Sequence, residues 1–378
     1  MWTLIQFLLF FFLALLGFLR IHHFFTAPLS RIADTVQADE LHKNSTIDTL
    51  SLSVIIPARN EEHRLPTLLE SLKQQRQKPH EIIVVDDGST DGTAEIARRY
   101  GCRVVHPDGS DWSGKSAACY AGAKAATGAY IVFFDADVFL AADALAYIYQ
   151  HRQKGGVLSI QPYHYMEKPY EQCSLYCNLV AILGLDLGQK KKPFFTKLGF
   201  FGPCVLMDRE TYLFTGGHAL VRNSILEDMA LGQALVKRNI PLIAIPHNNQ
   251  ISFRMYAEGF KKLFNGWSKN MGVAAQHSSV WTILIISSII ALSIFIPGQL
   301  IKSILGGTML LNMVYSGAYF VFAGLLFLSV RRIGAFSVIS CLLFPLHALF
   351  FVLVLVRSLF MQIFKMPIDW RGRKVHIQ

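Results

Sequence analysis

Acidic residues recur along the chain where short apolar runs end: Asn60-Glu61, Asp86-Asp87-Gly88-Ser89-Thr90-Asp91, Asp135-Ala136-Asp137 and Glu227-Asp228. A single aspartate in such a place is ordinarily a helix cap or a turn residue, and Ser89, Thr90 and Asp91 suit the start of a helix. Four groups converging on one edge need another explanation. Carboxylates brought together repel one another until a cation or a donor-rich ligand enters between them. Hard oxygen ligands suit Mg²⁺ or Mn²⁺, which hold phosphate oxygens at the same time. A nucleoside diphosphate with a divalent ion meets that need.

The elements that must position these acids follow from periodicity. Leu52 to Ile56, Ile82 to Val85, Arg103 to Val105 and Tyr130 to Phe134 read as strands, with helices near 64–76, 93–100, 116–126 and 143–150. Alternation of this kind predicts an α/β fold on a parallel sheet, which binds ligands beyond the carboxyl ends of its strands. Residues 31–49 are polar without an apolar period and read as a linker.

Composition places this domain at a membrane. The 378 residues are 52% hydrophobic and 16% charged, with mean hydropathy +0.35, too apolar for an ordinary soluble chain. Trp2 to Leu19 is uncharged and long enough to span a bilayer. Arg20, His22, His23 and Arg31 follow it, so the positive-inside rule puts the N-terminus outside and the middle of the chain in the cytoplasm. Val280 to Ile301, Met309 to Val330 and Phe336 to Val356 are further candidate spans. Four crossings would leave Arg357, Lys365, Arg371, Arg373 and Lys374 outside, against the same rule. Either a re-entrant segment near Pro345 or a helix lying in the interface removes the conflict. The formal charge of +10 fits an anionic membrane surface or an anionic substrate, and no nucleic-acid partner is expected. Six scattered cysteines without a C-x-x-C pair fit a reducing compartment.

The resulting organisation is an N-terminal anchor (1–20), a linker (21–50), a catalytic domain (51–250), an amphipathic region (251–279), C-terminal membrane helices (280–357) and a basic tail (358–378). The expected location is the cell membrane, multi-pass, with the catalytic domain cytoplasmic.

Ser53-Val-Ile-Ile-Pro57-Ala-Arg-Asn60-Glu61, Asp86-Asp87-Gly-Ser-Thr-Asp91, Asp135-Ala-Asp137 and Glu227-Asp228, in this order, resemble the inverting glycosyltransferases of family two, with the GT-A (Rossmann-like) fold, over roughly 50–270. The resemblance implies a donor site of Pro57, Asn60, Glu61, Asp87 at the uracil base and Asp135 at the ribose. It also implies Asp137 as the ligand of Mg²⁺ or Mn²⁺, and Asp228 as catalytic base beside Glu227. The partners implied are a UDP-sugar and a lipid-soluble acceptor.

Gly109-Ser-Asp-Trp112-Ser-Gly114-Lys115-Ser116 also matches the phosphate-binding G-x-x-x-x-G-K-[ST]. That reading leaves Asp87 and Asp228 unexplained. In the glycosyltransferase reading Lys115 meets the donor's phosphate or base. Residues 251–270 place Phe253, Tyr256, Phe260, Leu263, Phe264 and Trp267 at spacings of three and four, an interfacial helix. Here Arg254 is expected at the diphosphate and Trp267 at the acceptor, against a plain membrane anchor as the bland reading. His218, after two glycines, is a second acceptor candidate, against a packed turn histidine. Cys173 to Leu187 with Lys190 to Lys192 and Lys197 suits a helix on the bilayer.

Processive family members carry Gln-x-x-Arg-Trp, whereas this chain has Gln250-Ile-Ser-Phe-Arg254 and a distant Trp267, so a single hexose is expected to be transferred. Trp112 to Tyr120, Leu158 to Tyr163, Gly216 to His218, Phe253 to Tyr256, Gly266 to Lys269 and Asp369 to Arg373 resemble the family members that esterify glucose to a carotenoid acid such as 4,4'-diaponeurosporenoate. Polyprenyl phosphate, ceramide-like and hopanoid acceptors, or a non-catalytic membrane scaffold, are the alternatives.

Overall fold

The computed structural model describes residues 2–26, 49–108, 112–185, 200–222, 224, 226–364, 366, 368–370 and 373–375. Arg31 and most of the linker, Gly109 to Asp111, Lys190 to Lys192, Lys197, Lys365 and Arg371 lie outside the described residues.

In chain order the strands of the central domain are β1 (Thr49–Ala58), β2 (Lys78–Asp86), β3 (Arg103–Val105), β4 (Tyr130–Phe134), β5 (Val138–Leu140), β6 (Val157–Gln161), β7 (Tyr163–His164), β8 (Cys204–Asp208), β9 (Leu242–Pro246) and β10 (Ile251–Phe253). Seven of them form one sheet in the order β3-β2-β1-β4-β8-β6-β9. The expected parallel sheet is in fact mixed: β8 runs antiparallel to both neighbours, pairing Phe134 with Cys204 and Tyr130 with Asp208. Periodicity reports which residues face a core but not which way a strand runs, and this reversal was therefore unread.

The helices are α1 (Trp2–Thr26), α2 (Leu65–Lys73), α3 (Thr93–Arg99), α4 (Lys115–Ala125), α5 (Ala144–Gln150), α6 (Leu175–Gly184), α7 (Arg209–Thr215), α8 (Glu227–Lys237), α9 (Phe260–His277), α10 (Val280–Leu305), α11 (Met309–Val330), α12 (Val338–Leu342) and α13 (Phe344–Ile363). Successive residues of β1 point to opposite faces, so Val54 and Ile56 join a core with Leu65, Leu68, Leu72 and Ile148, while Ile55 joins Ala118, Ala123, Tyr212 and Leu235. Each such buried aliphatic side chain contributes about 1.5–3 kcal/mol. A second sheet, β5-β10-β7, stands beside the first. It pins the segment after β4, because the Arg254 N–H donates to the Asp137 carbonyl at 3.0 Å.

Four helices are long and apolar enough to cross a membrane: within α1, and α10, α11 and α13. The expected span from Phe336 is broken at Leu343 and runs on to Ile363. Pro345 lies in the first turn of α13, where its missing N–H is harmless, so the chain there starts a new helix. α13 runs beside α9: Phe350 meets Phe260 and Phe264, Arg357 donates to Asn265 Oδ1, and the Gly272 N–H donates to Ser358 Oγ at 2.8 Å.

The domain and the membrane helices share backbone bonds at β7, where His164 N–H donates to the Ile333 carbonyl and Ala335 N–H to the His164 carbonyl, each at 2.9 Å. The His164 ring is fully buried against Asn178 Nδ2 at 2.9 Å. Burial pushes its pKa down from the ordinary 6.5 to about 4, with Glu171 and Asn178 opposing. Between those values the unfolded chain binds a proton that the folded chain refuses, so the stabilisation present above pH 6.5 is lost as pH falls toward 4. His164→Gln is expected to lower the melting temperature at pH 7, with the gap to wild type narrowing by pH 4.5 in detergent melts. A gap that widens in acid would contradict this.

Candidate active site

The acids expected at the strand ends come together around a lysine. Lys115, the first residue of α4, puts Nζ 2.8 Å from Asp135 Oδ1, 3.0 Å from Asp228 Oδ2 and 3.3 Å from Glu227 Oε1. Burial alone would depress this ammonium, but the charges of Asp135, Asp228 and Glu227 outweigh it and hold its pKa well above the ordinary value. Burial raises the Glu227 carboxyl, Asp228 beside it raises it further, and Lys115 pulls it back. Both acids open α8, where the helix's free N–H groups favour negative charge.

The other strand ends are laced together by side chains. Asn60 adopts a left-handed backbone (φ 53°), and its Oδ1 accepts from Thr90 N–H at 2.8 Å while its own N–H donates to Ser89 Oγ at 3.0 Å. Glu61 N–H donates to Thr93 Oγ1 at 2.8 Å. Asp87 is buried, and its Oδ2 accepts from Gly114 N–H at 3.0 Å. Gly114 sits at φ 102°, which only glycine adopts without strain, and so the Asp87 bond sets the approach of the chain to Lys115.

A cavity of about 1290 Å³ opens beside the cluster. Pro57, Asn60, Glu61, Lys115, Asp135, Asp137, Glu227, Asp228 and Trp267 all line it. Its far wall is apolar and belongs to α6, α10 and α13.

A family model described as glycosyl transferase family 2 matches residues 53–229. The 4,4'-diaponeurosporenoate glycosyltransferase of Staphylococcus haemolyticus (strain JCSC1435) is 35% identical over 348 residues, covering 87% of this chain and 90% of that protein. The protein of the same name from Staphylococcus aureus (strain MRSA252) is 36% identical over 342 residues, covering 86% and 88%. The chain belongs to glycosyl transferase family 2. Among solved structures, the mannosyltransferase PcManGT from Pyrobaculum calidifontis, in complex with GDP-Man and Mn²⁺, superposes with TM-score 0.54 at 16% identity, covering 94% of this chain and 97% of that one. The central domain of this glycosyltransferase thus has the GT-A fold.

Three sequence expectations for the glycosyltransferase meet a different arrangement. The Arg254 guanidinium does not line the cavity; it donates to Glu171 Oε1 at 2.8 and 3.1 Å and pairs with Glu167. Both glutamates lie more than eighty residues earlier in the chain. His218 is buried behind the cluster, its Nδ1 2.7 Å from Tyr212 Oη and its ring against Phe133, outside the cavity wall. Burial, with Lys115 nearby, lowers its pKa to about 3, as befits a packed histidine. Lys115, at the start of α4, meets the carboxylates of Asp135, Glu227 and Asp228. Trp267 does reach the cavity, with its indole N–H donating to Ser174 Oγ at 3.0 Å.

Two residues escaped the sequence reading. Burial depresses the Arg64 guanidinium, but Asp137, Glu61 and Glu258 more than compensate, and it stands at the cavity as their counter-charge. Its only sequence signal was the three-residue spacing from Glu61. Gly202 is the other, because a Cβ there would meet Asp228 Oδ2 at 1.7 Å. Gly202→Ala is therefore expected to displace Asp228 and cut sugar transfer by about a hundredfold, the usual effect of an ångström-scale misplacement. Near-wild-type transfer in a folded Gly202→Ala protein would show that the position of Asp228 is not critical.

Proposed function

We propose that this membrane-anchored glycosyltransferase moves one hexose, glucose in our reading, from a UDP-sugar to the carboxylate of a carotenoid acid such as 4,4'-diaponeurosporenoate, with inversion at the anomeric carbon. The observation that carries it is the continuity of the cavity, which runs from the carboxylate cluster to an apolar wall of membrane helices. The names of the staphylococcal relatives support the acceptor.

Asp135 and Asp137 fit a divalent ion completed by the donor's diphosphate. Among the described residues no three His, Cys, Asp or Glu side chains gather as a metal site, and Mg²⁺ held by one or two carboxylates plus substrate phosphates needs no such gathering. When bound, the ion offsets the charge that builds on the departing diphosphate. A carboxylate oxygen of the acceptor forms the bond to C1 as the bond from C1 to the diphosphate oxygen breaks, its electron pair leaving with UDP. An acid acceptor is already ionised near neutral pH, with a pKa of roughly 4–5 by analogy with side-chain carboxyls, so no proton has to be removed. Asp228 then serves by holding Lys115 and shaping the acceptor's approach.

The catalytic domain faces the cytoplasm in this reading, as Arg20, Arg331 and Arg332 at the helix ends favour. α13 exposes Leu346, Leu349, Leu353, Val356, Phe360 and Ile363 along one stripe and lies beside amphipathic α9. We assign it to the interface, which leaves the basic tail cytoplasmic.

With UDP-glucose and Mn²⁺, detergent-purified protein is expected to release UDP faster when 4,4'-diaponeurosporenoate is added, and to yield its hexosyl ester by mass. Release indifferent to the acid moves the acceptor to another lipid; no release even with native lipid extract overturns the reading. Asp228→Asn should retain a measurable rate, within about a hundredfold of wild type, whereas Asp137→Asn abolishes transfer. Equal and total loss in both would count against a carboxylate acceptor.

A further inference from the structure

An anionic acceptor faces an electrostatic difficulty at this site, since Asp135, Asp137, Glu227 and Asp228 all line the chamber it must enter. Like charges disfavour its approach unless a cation stands on the route. The amphipathic helix α9 supplies that route. Lys262, Asn265, Gly266 and Lys269, at spacings of three, four and seven, lie on one face of the helix, and all four line the cavity. Arg357 of α13 also lines it, donating to Asn265 Oδ1 with its guanidinium carbon 5.0 Å from the centre of the Phe264 ring. Neither α9 nor α13 contains an acidic residue. Glu258, just before α9, also lines the cavity but is paired with Arg64, so the α9 and α13 side of the cavity carries positive charge, and Lys269 is near enough for that charge to act on Glu227.

Beyond the lysines the cavity becomes apolar. Ile182 of α6, Ile286, Ile290 and Ala291 of α10, and Phe351 and Leu355 of α13 line it. Ile283, on the same side of α10, is 41% exposed, so the channel meets the bilayer-facing surface there.

We propose that this half of the cavity is the entry channel and binding site of a long-chain carboxylic acid: its chain lies between α6, α10 and α13, and Lys269, with Arg357 behind it, receives the carboxylate and delivers it past Glu227 to the sugar. The inference deepens the proposed function and rests on it. Lys269 is the specificity-determining residue, because a neutral hydroxyl acceptor has no use for a cation at that position. The apolar section selects length, because only an extended chain fills it.

The test compares Michaelis constants. Lys269→Met is expected to raise the KM for 4,4'-diaponeurosporenoate about tenfold or more, while the KM for UDP-glucose shifts less than about twofold. Lys269→Arg should recover most of the loss, since the charge is kept. Ala291→Trp fills the channel independently of charge, and is expected to raise the KM for the long acid while sparing a short-chain carboxylic acid. An unchanged acid KM in both Lys269→Met and Ala291→Trp overturns the channel while leaving the proposed function standing. A wild-type protein that forms no ester with the acid removes both.

Discussion

The Lys115 ammonium allows Asp135, Glu227 and Asp228 to stand within hydrogen-bonding distance of one centre. Without it three carboxylates would share a partly buried pocket, and either they would separate or some would take up protons. Its side chain is only 17% exposed, so the attraction is weakly screened. Removing one partner of such a buried set costs about 3–5 kcal/mol, because the others are left uncompensated. The three acids come from the end of β4 and the start of α8, and the lysine from the start of α4, so one side chain joins the two halves of the domain. The same pairing leaves Asp228 partly neutralised at the cavity wall.

Around this centre the rest of the fold acts as support. Asp87 sets the Gly114 approach to Lys115, and Gly202 leaves room for the Asp228 carboxylate. Arg254 holds the small sheet against Glu171 and, through its backbone, keeps Asp137 in place. The link after α11 is joined to the domain at β7, and α9 is tied to the start of α6 by Trp267 and to α13 by the Gly272–Ser358 bond, which holds the apolar wall of the cavity near the acids. Cluster and apolar wall thus form a single chamber.

The legible parts of the sequence were those governed by local rules. Arg103 to Val105 and Tyr130 to Phe134 are strands to the residue, because β-branched and aromatic runs end there at turn residues. The four acidic groups were legible because α/β topology brings strand ends to one edge. Partnerships across long separations were not legible. The pairing of Arg254 with Glu171 carried no local signal, because the two lie 83 residues apart. The G-x-x-x-x-G-K-[ST] spelling suggested an anion for Lys115 but not its pairing with Asp135, Glu227 and Asp228, two of which lie more than a hundred residues away. The break at Leu343 had one local signal, Pro345 two residues on, which opens the next helix. Gly202 carried no signal at all, since its role is to be small beside an aspartate 26 positions further on.

The most direct test of the central ion cluster is a double-mutant cycle on thermal stability in detergent, using Lys115→Met, Asp228→Asn and the two combined. The account predicts strong coupling: Lys115→Met alone melts well below wild type, and adding Asp228→Asn restores part of the loss, because it removes a charge left without its partner. Stability losses that add to within about 0.5 kcal/mol would mean the two side chains act independently, and would contradict the account.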